Sequence, residues 1–125
     1  MVESYNNLIN NSKITIGEFW GITFSNGFRE SYVYRYYVDG KRYAANDPYY
    51  VGSDLPENFK PTNEDMDSAR KGNKYLVLYD PSKLATKRRL SLCLLSYPIK
   101  DSSDFAKYSK EVEEKILKNR GGVPN

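Results

Sequence analysis

The sequence predicts an α+β fold: a twisted five-stranded antiparallel sheet, or a small partly open barrel, with a C-terminal helix packed on it. Before residue 100, β-branched and aromatic residues recur in short segments that turn residues separate, which is typical of strands. After residue 102, apolar residues recur every three or four positions, which predicts one amphipathic helix. The tyrosine-rich residues 31–45 organise this arrangement.

Residues 31–45 predict a β-hairpin. Alternation at period two places Tyr32, Tyr34, Tyr36 and Val38 on one face of its first strand, and Val33, Arg35 and Tyr37 on the other. Asp39-Gly40 then occupies the two central positions of a type I′ turn, which need positive φ. With that turn, Tyr43 stands opposite Tyr36 and Arg42 stands opposite Tyr37.

The hairpin is flanked by a predicted strand before it and a predicted loop after it. Residues 13–24 form the strand, in which Gly17 and Gly21 indicate a bend or bulge. The turn signal Ser25-Asn26-Gly27 joins it to the hairpin, so the three strands form an antiparallel meander. Residues 46–62 contain three prolines and predict a long loop.

Four elements are predicted after that loop. Residues 63–72 predict a short helix with acidic residues in its first turn and basic residues in its last. Residues 74–79 are apolar on both faces, as in an interior strand, and residues 90–97 form a fifth strand that Pro98 ends. Residues 102–119 predict the C-terminal helix, with Ser102 or Ser103 as its cap and a stripe made of Phe105, Tyr108, Val112 and Ile116.

Length and composition indicate a single folded domain. The chain has 125 residues and divides into a polar N-terminal segment, residues 1–12, and one α+β domain, residues 13–120. Twelve tyrosines and five phenylalanines are more aromatic side chains than a disordered chain carries. The formal net charge is +3, and nucleic-acid-binding domains usually carry more positive charge than that. A local basic patch is still compatible with this net charge.

The residue types present exclude several kinds of catalytic and metal site. The chain contains no histidine, which excludes Ser-His and Cys-His catalytic arrangements and histidine-metal sites. Its single cysteine, Cys93, excludes an intrachain disulfide and a Cys-based zinc site, and its leucine neighbours predict a buried thiol. We therefore predict a protein that is not an enzyme and that uses no cofactor and no metal.

Two charged segments each have two interpretations. Glu64, Asp65 and Asp67 resemble a cation site, but their spacing favours solvated acids in the first turn of a helix. The basic residues of segment 83–89 could bind single-stranded nucleic acid beside exposed tyrosines, and we favour instead a solvated loop that protects a sheet edge with charge.

Localisation is weakly constrained by the sequence. No apolar run reaches the roughly 18 residues of a membrane span. Residues 1–12 lack the basic start and apolar centre of a signal peptide, which favours the cytoplasm. A periplasmic location stays open, because removal of a leader would give the same sequence.

Three stretches resemble a loose group of uncharacterised small bacterial proteins from Bacteroidetes-like genomes. They are Y-V-Y-R-Y-Y-V-D-G-K-R-Y (residues 32–43), G-N-K-Y-L-V-L-Y-D-P (residues 72–81) and L-S-L-C-L-L-S-Y-P-I (residues 90–99). The resemblance implies a β-rich fold, and its motifs contain no catalytic residue to transfer. This chain departs from the group by inserting the basic residues 84–89 in place of a short N-P-x-x-S link.

These observations predict a non-catalytic protein-binding domain, of which an immunity-type inhibitor of a bacterial toxin is one concrete version. The alternative is an OB- or SH3-like nucleic-acid-binding protein, whose affinity would fall more steeply with salt. The predicted binding surface combines the solvent face of the hairpin with the following loop: Tyr37, Arg42, Arg35, Tyr49 and Tyr50. The competing interpretation is that the loop folds back and covers this face.

Overall fold

The computed structural model describes residues 11–25, 29–48, 62–84 and 91–115. Within them, five strands form one antiparallel sheet: β1 (Lys13–Ser25), β2 (Arg29–Val38), β3 (Lys41–Pro48), β4 (Lys74–Tyr79) and β5 (Ser91–Ile99). Two helices accompany the sheet, α1 (Asn63–Ser68) and α2 (Ser102–Lys115), and a 3-10 turn spans Pro81–Lys83. The predicted α+β fold with a five-stranded antiparallel sheet is confirmed.

The sheet is open but strongly curled. Its strand order is β3-β2-β1-β4-β5, so β1 lies at the centre. The hairpin β2–β3 lies on one side of β1 and completes the predicted meander, and β4 and β5 lie on the other side. The edge strands β3 and β5 share no hydrogen-bonded ladder, yet some of their Cα atoms approach within 8 Å. The sheet therefore has a concave inner face and a convex outer face.

The hairpin forms with the predicted turn and register. Asp39 and Gly40 have φ angles of 52° and 81°, as a type I′ turn requires. Tyr43 pairs with Tyr36, and Arg42 pairs with Tyr37. Local sequence thus fixes which side chains enter the inner face.

The predicted loop 46–62 begins too early. Asn46 pairs with Val33 inside the β2–β3 ladder, and β3 continues to Pro48. Proline has no backbone N–H to donate to a neighbouring strand. An edge strand tolerates it, because on its outer side no hydrogen bond to another strand is lost. Residues 49–61 lie outside the described residues.

The inner face holds a tyrosine-rich core. Its buried members are Phe19, Tyr32, Tyr34, Tyr36, Tyr75, Val77, Tyr79, Cys93 and Leu95. The ring of Tyr36 stacks on those of Tyr43 and Tyr79, with centroids 5.6 and 6.0 Å apart. Cys93 is buried in this cluster, which confirms the interpretation of that residue as part of the core.

Helix α2 closes a second core on the outer face over β4 and β5. Its stripe residues Phe105, Tyr108 and Val112 pack against a cluster that includes Leu76, Leu78, Leu92 and Leu94. Val112 is completely buried, and Ile116 lies outside the described residues. Strand β4 is thus buried on both faces, as predicted for an interior strand.

Both helices begin or end differently from the prediction. Helix α1 ends at Ser68, because Ala69 is already extended (φ −65°, ψ 129°), so the basic residues predicted for its last turn lie beyond it. Helix α2 is capped by the Asp101 carboxylate, which accepts hydrogen bonds from the N–H groups of Ser103 (2.9 Å) and Asp104 (3.1 Å). The predicted caps Ser102 and Ser103 lie inside the helix.

Strand β5 passes through Pro98 instead of stopping before it. Leu94 pairs with Leu76, but the next paired residue of β4, Tyr75, faces Pro98, so the strand contains a bulge. The extra residues let Tyr97 join Leu94 in the core under α2, although the two residues are three positions apart and would lie on opposite faces of a regular strand. Leu90, the first residue of the predicted strand, lies outside the described residues.

Candidate functional site

Among the described residues, helix α2 packs over β4, β5 and the Ile14–Ile16 part of β1, and no element covers the outer face of β2, of β3 and of β1 at Glu18. Residues paired directly across strands share a face, so the register defines this surface. We call it the open face, and it consists of Glu18, Val33, Arg35, Tyr37, Arg42, Ala44 and Asn46.

Tyr37 and Arg42 form an exposed pair at the hairpin-turn end of the open face. Tyr37 is 48% exposed, and its cross-strand partner Arg42 is exposed as well. The Tyr37 carbonyl accepts a hydrogen bond of 2.7 Å from Oγ1 of Thr15, which fastens the end of β2 to β1. A large aromatic side chain and a guanidinium are thereby presented from a firmly paired backbone.

Arg35, the third predicted residue, is half-buried against an indole ring. Its guanidinium carbon lies 3.8 Å from the centre of the Trp20 ring, and Nζ of Lys71 lies 4.6 Å from the same centre. These are cation–π distances, so the ring holds two cations beside the open face.

Trp20 and Lys71 lie beside the open face but were not among the site residues predicted from the sequence. Trp20 is the unpaired residue of a β-bulge between Phe19 and Gly21, and Gly21 was the available signal. The turn that carries Lys71 is held by a hydrogen bond of 2.9 Å from the Gly72 N–H to the Phe19 carbonyl. That contact joins residues far apart in the sequence, so no local pattern indicates it.

A groove of about 590 Å³ runs between the open face and α2. Its apolar lining consists of Ile14, Ile16, Tyr37 and Phe105, and its charged lining consists of Glu18 and Lys74. Such a combination of apolar walls with a few polar groups is typical of binding sites. Phe105 belongs to α2, so the groove exists because the helix stops short of the hairpin.

Basic side chains lie on both sides of Glu18, the acidic residue of the groove lining. Glu18 is paired with Arg35 on one neighbouring strand and with Lys74 on the other. Arg42 and Lys71 are exposed nearby, on the hairpin and beside Trp20. The combined field favours a ligand that carries negative charge.

The carboxyl groups with shifted pKa values serve helix ends. Burial would raise the pKa of Asp65, but hydrogen bonds from the Thr62 backbone and from the Ser96 and Thr62 hydroxyls outweigh it, and the pKa lies below its usual value. Hydrogen bonds from the Ser103 side chain and the Asp104 backbone lower the pKa of Asp101. The favoured interpretation of Asp65, an acid in the first turn of a helix, is confirmed, and the residue completes a capping box with Thr62.

The tyrosines with shifted pKa values belong to the cores. Burial and the charge of Asp39 raise the pKa of Tyr79, and burial with a nearby Glu111 raises that of Tyr97. Neither phenol lies on the open face. In the part of the chain that the structure describes, no three acidic or cysteine side chains are grouped as metal ligands would be.

The remaining predicted residues are placed as follows. Tyr49 and Tyr50 lie outside the described residues, as do Lys87, Arg88 and Arg89 of the predicted basic loop. Lys83 is half-buried in the 3-10 turn. The structure therefore brings together Tyr37, Arg42 and Arg35 of the predicted site.

Comparison with protein-family models, with curated proteins and with solved structures found no match to this chain. Across the described ranges, no helix is both long enough and apolar enough to cross a membrane.

Proposed function

We propose that this chain is a non-catalytic protein-binding domain that recognises its partner through the open face. The supporting observation is Tyr37, which is 48% exposed although its strand neighbours Tyr36 and Tyr34 are fully buried. Tyrosine and arginine are among the side chains most enriched in the residues that dominate binding energy, and Arg42 stands directly opposite Tyr37.

The chemistry of the groove favours a protein over other ligands. Ile16 and Phe105 form apolar walls beside Tyr37, which suits an inserted aliphatic or aromatic side chain. Arg42 and Lys74 at the rim would pair with carboxylates of the partner. An immunity-type inhibitor that binds an acidic surface of a bacterial toxin is a concrete version of this proposal.

A nucleic-acid-binding protein is the second candidate, favoured by the cations beside Trp20. Single-strand binding by small β-proteins depends on aromatic rings whose faces are free to stack on bases. Arg35 and Lys71 already contact the ring of Trp20. Among the described residues, Tyr37 is then the exposed aromatic side chain available for stacking. One such ring supports a protein partner more strongly than a single-stranded nucleic acid.

Affinity capture with matched variants tests this proposal. The intact chain, Tyr37→Ala and Arg42→Ala serve as baits in lysate with and without nuclease treatment, and Ile22→Ala is the control. Ile22 is 45% exposed but pairs with Tyr32, so it lies on the other face.

We expect a protein whose affinity falls at least about tenfold with Tyr37→Ala and with Arg42→Ala, and stays unchanged with Ile22→Ala. Equal capture by all four baits would contradict the proposal. A ligand lost on nuclease treatment, with affinity that falls steeply with salt, would establish the second candidate.

A further inference from the structure

We infer that the open face and its groove receive an amphipathic α-helix with acidic flanks, supplied by the partner protein. This inference rests on the proposed function and specifies the shape and charge of the segment that binds. It follows from the width of the face, from the apolar residues at one side of it, and from the charges along it.

The open face has room for one helix beside α2. Three strands about 4.8 Å apart make a surface roughly 14 Å wide, and a helix with its side chains is about 10–12 Å across. Helix α2 already packs on the neighbouring part of the same sheet face, over Leu76 and Leu78. A second helix laid beside it would complete that layer in the manner of two-layer α+β domains.

The groove supplies anchors for such a helix where it meets α2. Ile16 and Phe105 are only partly buried, and Tyr37 adjoins them with nearly half of its surface exposed. A helix presents apolar side chains every three or four residues along one stripe, which would fill a groove of this shape.

The charges around the groove specify the flanks of the helix. Lys74 lies on the α2 side of the groove, and Arg42 lies on the hairpin side. Arg35 lies between them, paired across strands with Glu18, and its guanidinium contacts the ring of Trp20. A helix with glutamate or aspartate on both sides of its apolar stripe would meet a cation on each side.

An added β-strand is a poorer occupant of this region. The edge strand β3 approaches the other edge strand, β5, and some of their Cα atoms lie within 8 Å of each other. Inserting a strand between two others requires about 9.6 Å, twice the usual spacing. The open face, which has no such constraint, accepts a helix without movement of the sheet.

Selection from a display library of random linear peptides tests the inference. The library is selected on the intact protein and depleted on the Arg42→Glu variant, whose substituted side chain is exposed. We expect enriched peptides with apolar residues three and four positions apart and an excess of acidic residues. The bound peptides should be helical by NMR and should lose at least about tenfold in affinity with Tyr37→Ala, but not with Ile22→Ala.

Enrichment of alternating, strand-like or basic sequences would overturn the inference, and so would the absence of any enrichment. Competition by single-stranded oligothymidylate for the same face, with no acidic helix enriched, would also overturn it. One outcome is a natural partner that loses affinity for the Tyr37→Ala variant and yet is not displaced by the selected helices. In that case the proposed function stands and the inference of a helical ligand fails. If the helices bind but no natural partner responds to Tyr37→Ala, the proposed function fails.

Discussion

The hydroxyl oxygens of Tyr34 and Ser91 lie 2.7 Å apart inside the core, although 57 positions separate them in the chain. Tyr34 belongs to β2 and Ser91 begins β5, two strands that are not neighbours in the sheet. The contact is possible because the sheet curls until its two halves meet. A buried phenol thereby contributes apolar area while its hydroxyl keeps a hydrogen bond.

Truncation of two tyrosines of the same strand is expected to change the free energy of unfolding by very different amounts. Tyr34 is fully buried, so Tyr34→Ala should lower the free energy of unfolding by about 3–5 kcal/mol, as for other large aromatic core residues. Tyr37→Ala should change it by about 0.5 kcal/mol or less, because that ring is exposed. Denaturant unfolding measures both, and similar losses for the two variants would contradict the assignment of the two faces.

Gly17 is expected to be intolerant of even one added methyl group. A Cβ atom there would lie 2.5 Å from Cγ2 of Val77 and 3.0 Å from the Arg35 carbonyl oxygen. Gly17→Ala should therefore destabilise the protein by about 1–3 kcal/mol through overpacking.

The Val77→Ala background provides the control, because it removes one of the two clashes. The cost of Gly17→Ala should be smaller there, and a double-mutant cycle measures the difference. Strict additivity of the two substitutions would show that β1 and β4 are not in the contact described.

The Asp65 carboxylate should stabilise the fold in a pH-dependent way. It accepts a hydrogen bond of 2.7 Å from the Ser96 hydroxyl, which ties α1 to β5. Its pKa in the folded protein lies below the ordinary value of 3.8, so its contribution is fully present above that value and is lost as the pH falls through the folded-state pKa.

Asp65→Asn should accordingly cost stability at neutral pH, and the difference from the parent protein should shrink as the solution is acidified below pH 3.8. Asp67→Asn, at an exposed position of the same helix, is the control for the loss of an acidic side chain. A difference that stays constant across the pH series would mean that the carboxylate is not the stabilising species.

Helix α2 should be an integral part of the fold. Val112 is completely buried, and Val112→Asp would place an unpaired charge in the core under the helix, costing about 3 kcal/mol or more. Ala106→Asp introduces the same residue at an exposed position of α2 and should cost less than about 1 kcal/mol. Equal thermal midpoints for the two variants would show that the helix does not pack as described.

The hairpin could be predicted because its information is local. The turn at Asp39-Gly40 and the alternation before it are both read within a few residues, and together they fix the register. Pro48 misled the prediction because a proline usually ends a strand, and only the topology shows that β3 lies at an edge.

The groove could not be predicted, because it depends on contacts between distant segments. Phe105 was identified as part of the helical stripe, but its sequence position does not say which strands α2 covers. The position of Trp20 depends on the bulge in β1 and on the turn at Lys71–Gly72, which are joined only in the folded chain. Functional side chains that are placed by contacts between distant segments can be identified only from the tertiary structure.

Site-specific photo-crosslinking tests the central claim most directly. Tyr37→p-benzoylphenylalanine places the crosslinker on the open face, and Ile22→p-benzoylphenylalanine places it at a similarly exposed position of the other face. We expect a protein adduct from position 37 that survives nuclease treatment and disappears with Arg42→Glu, and none from position 22. An adduct of equal yield from both positions, or one destroyed by nuclease, would contradict protein recognition through the open face.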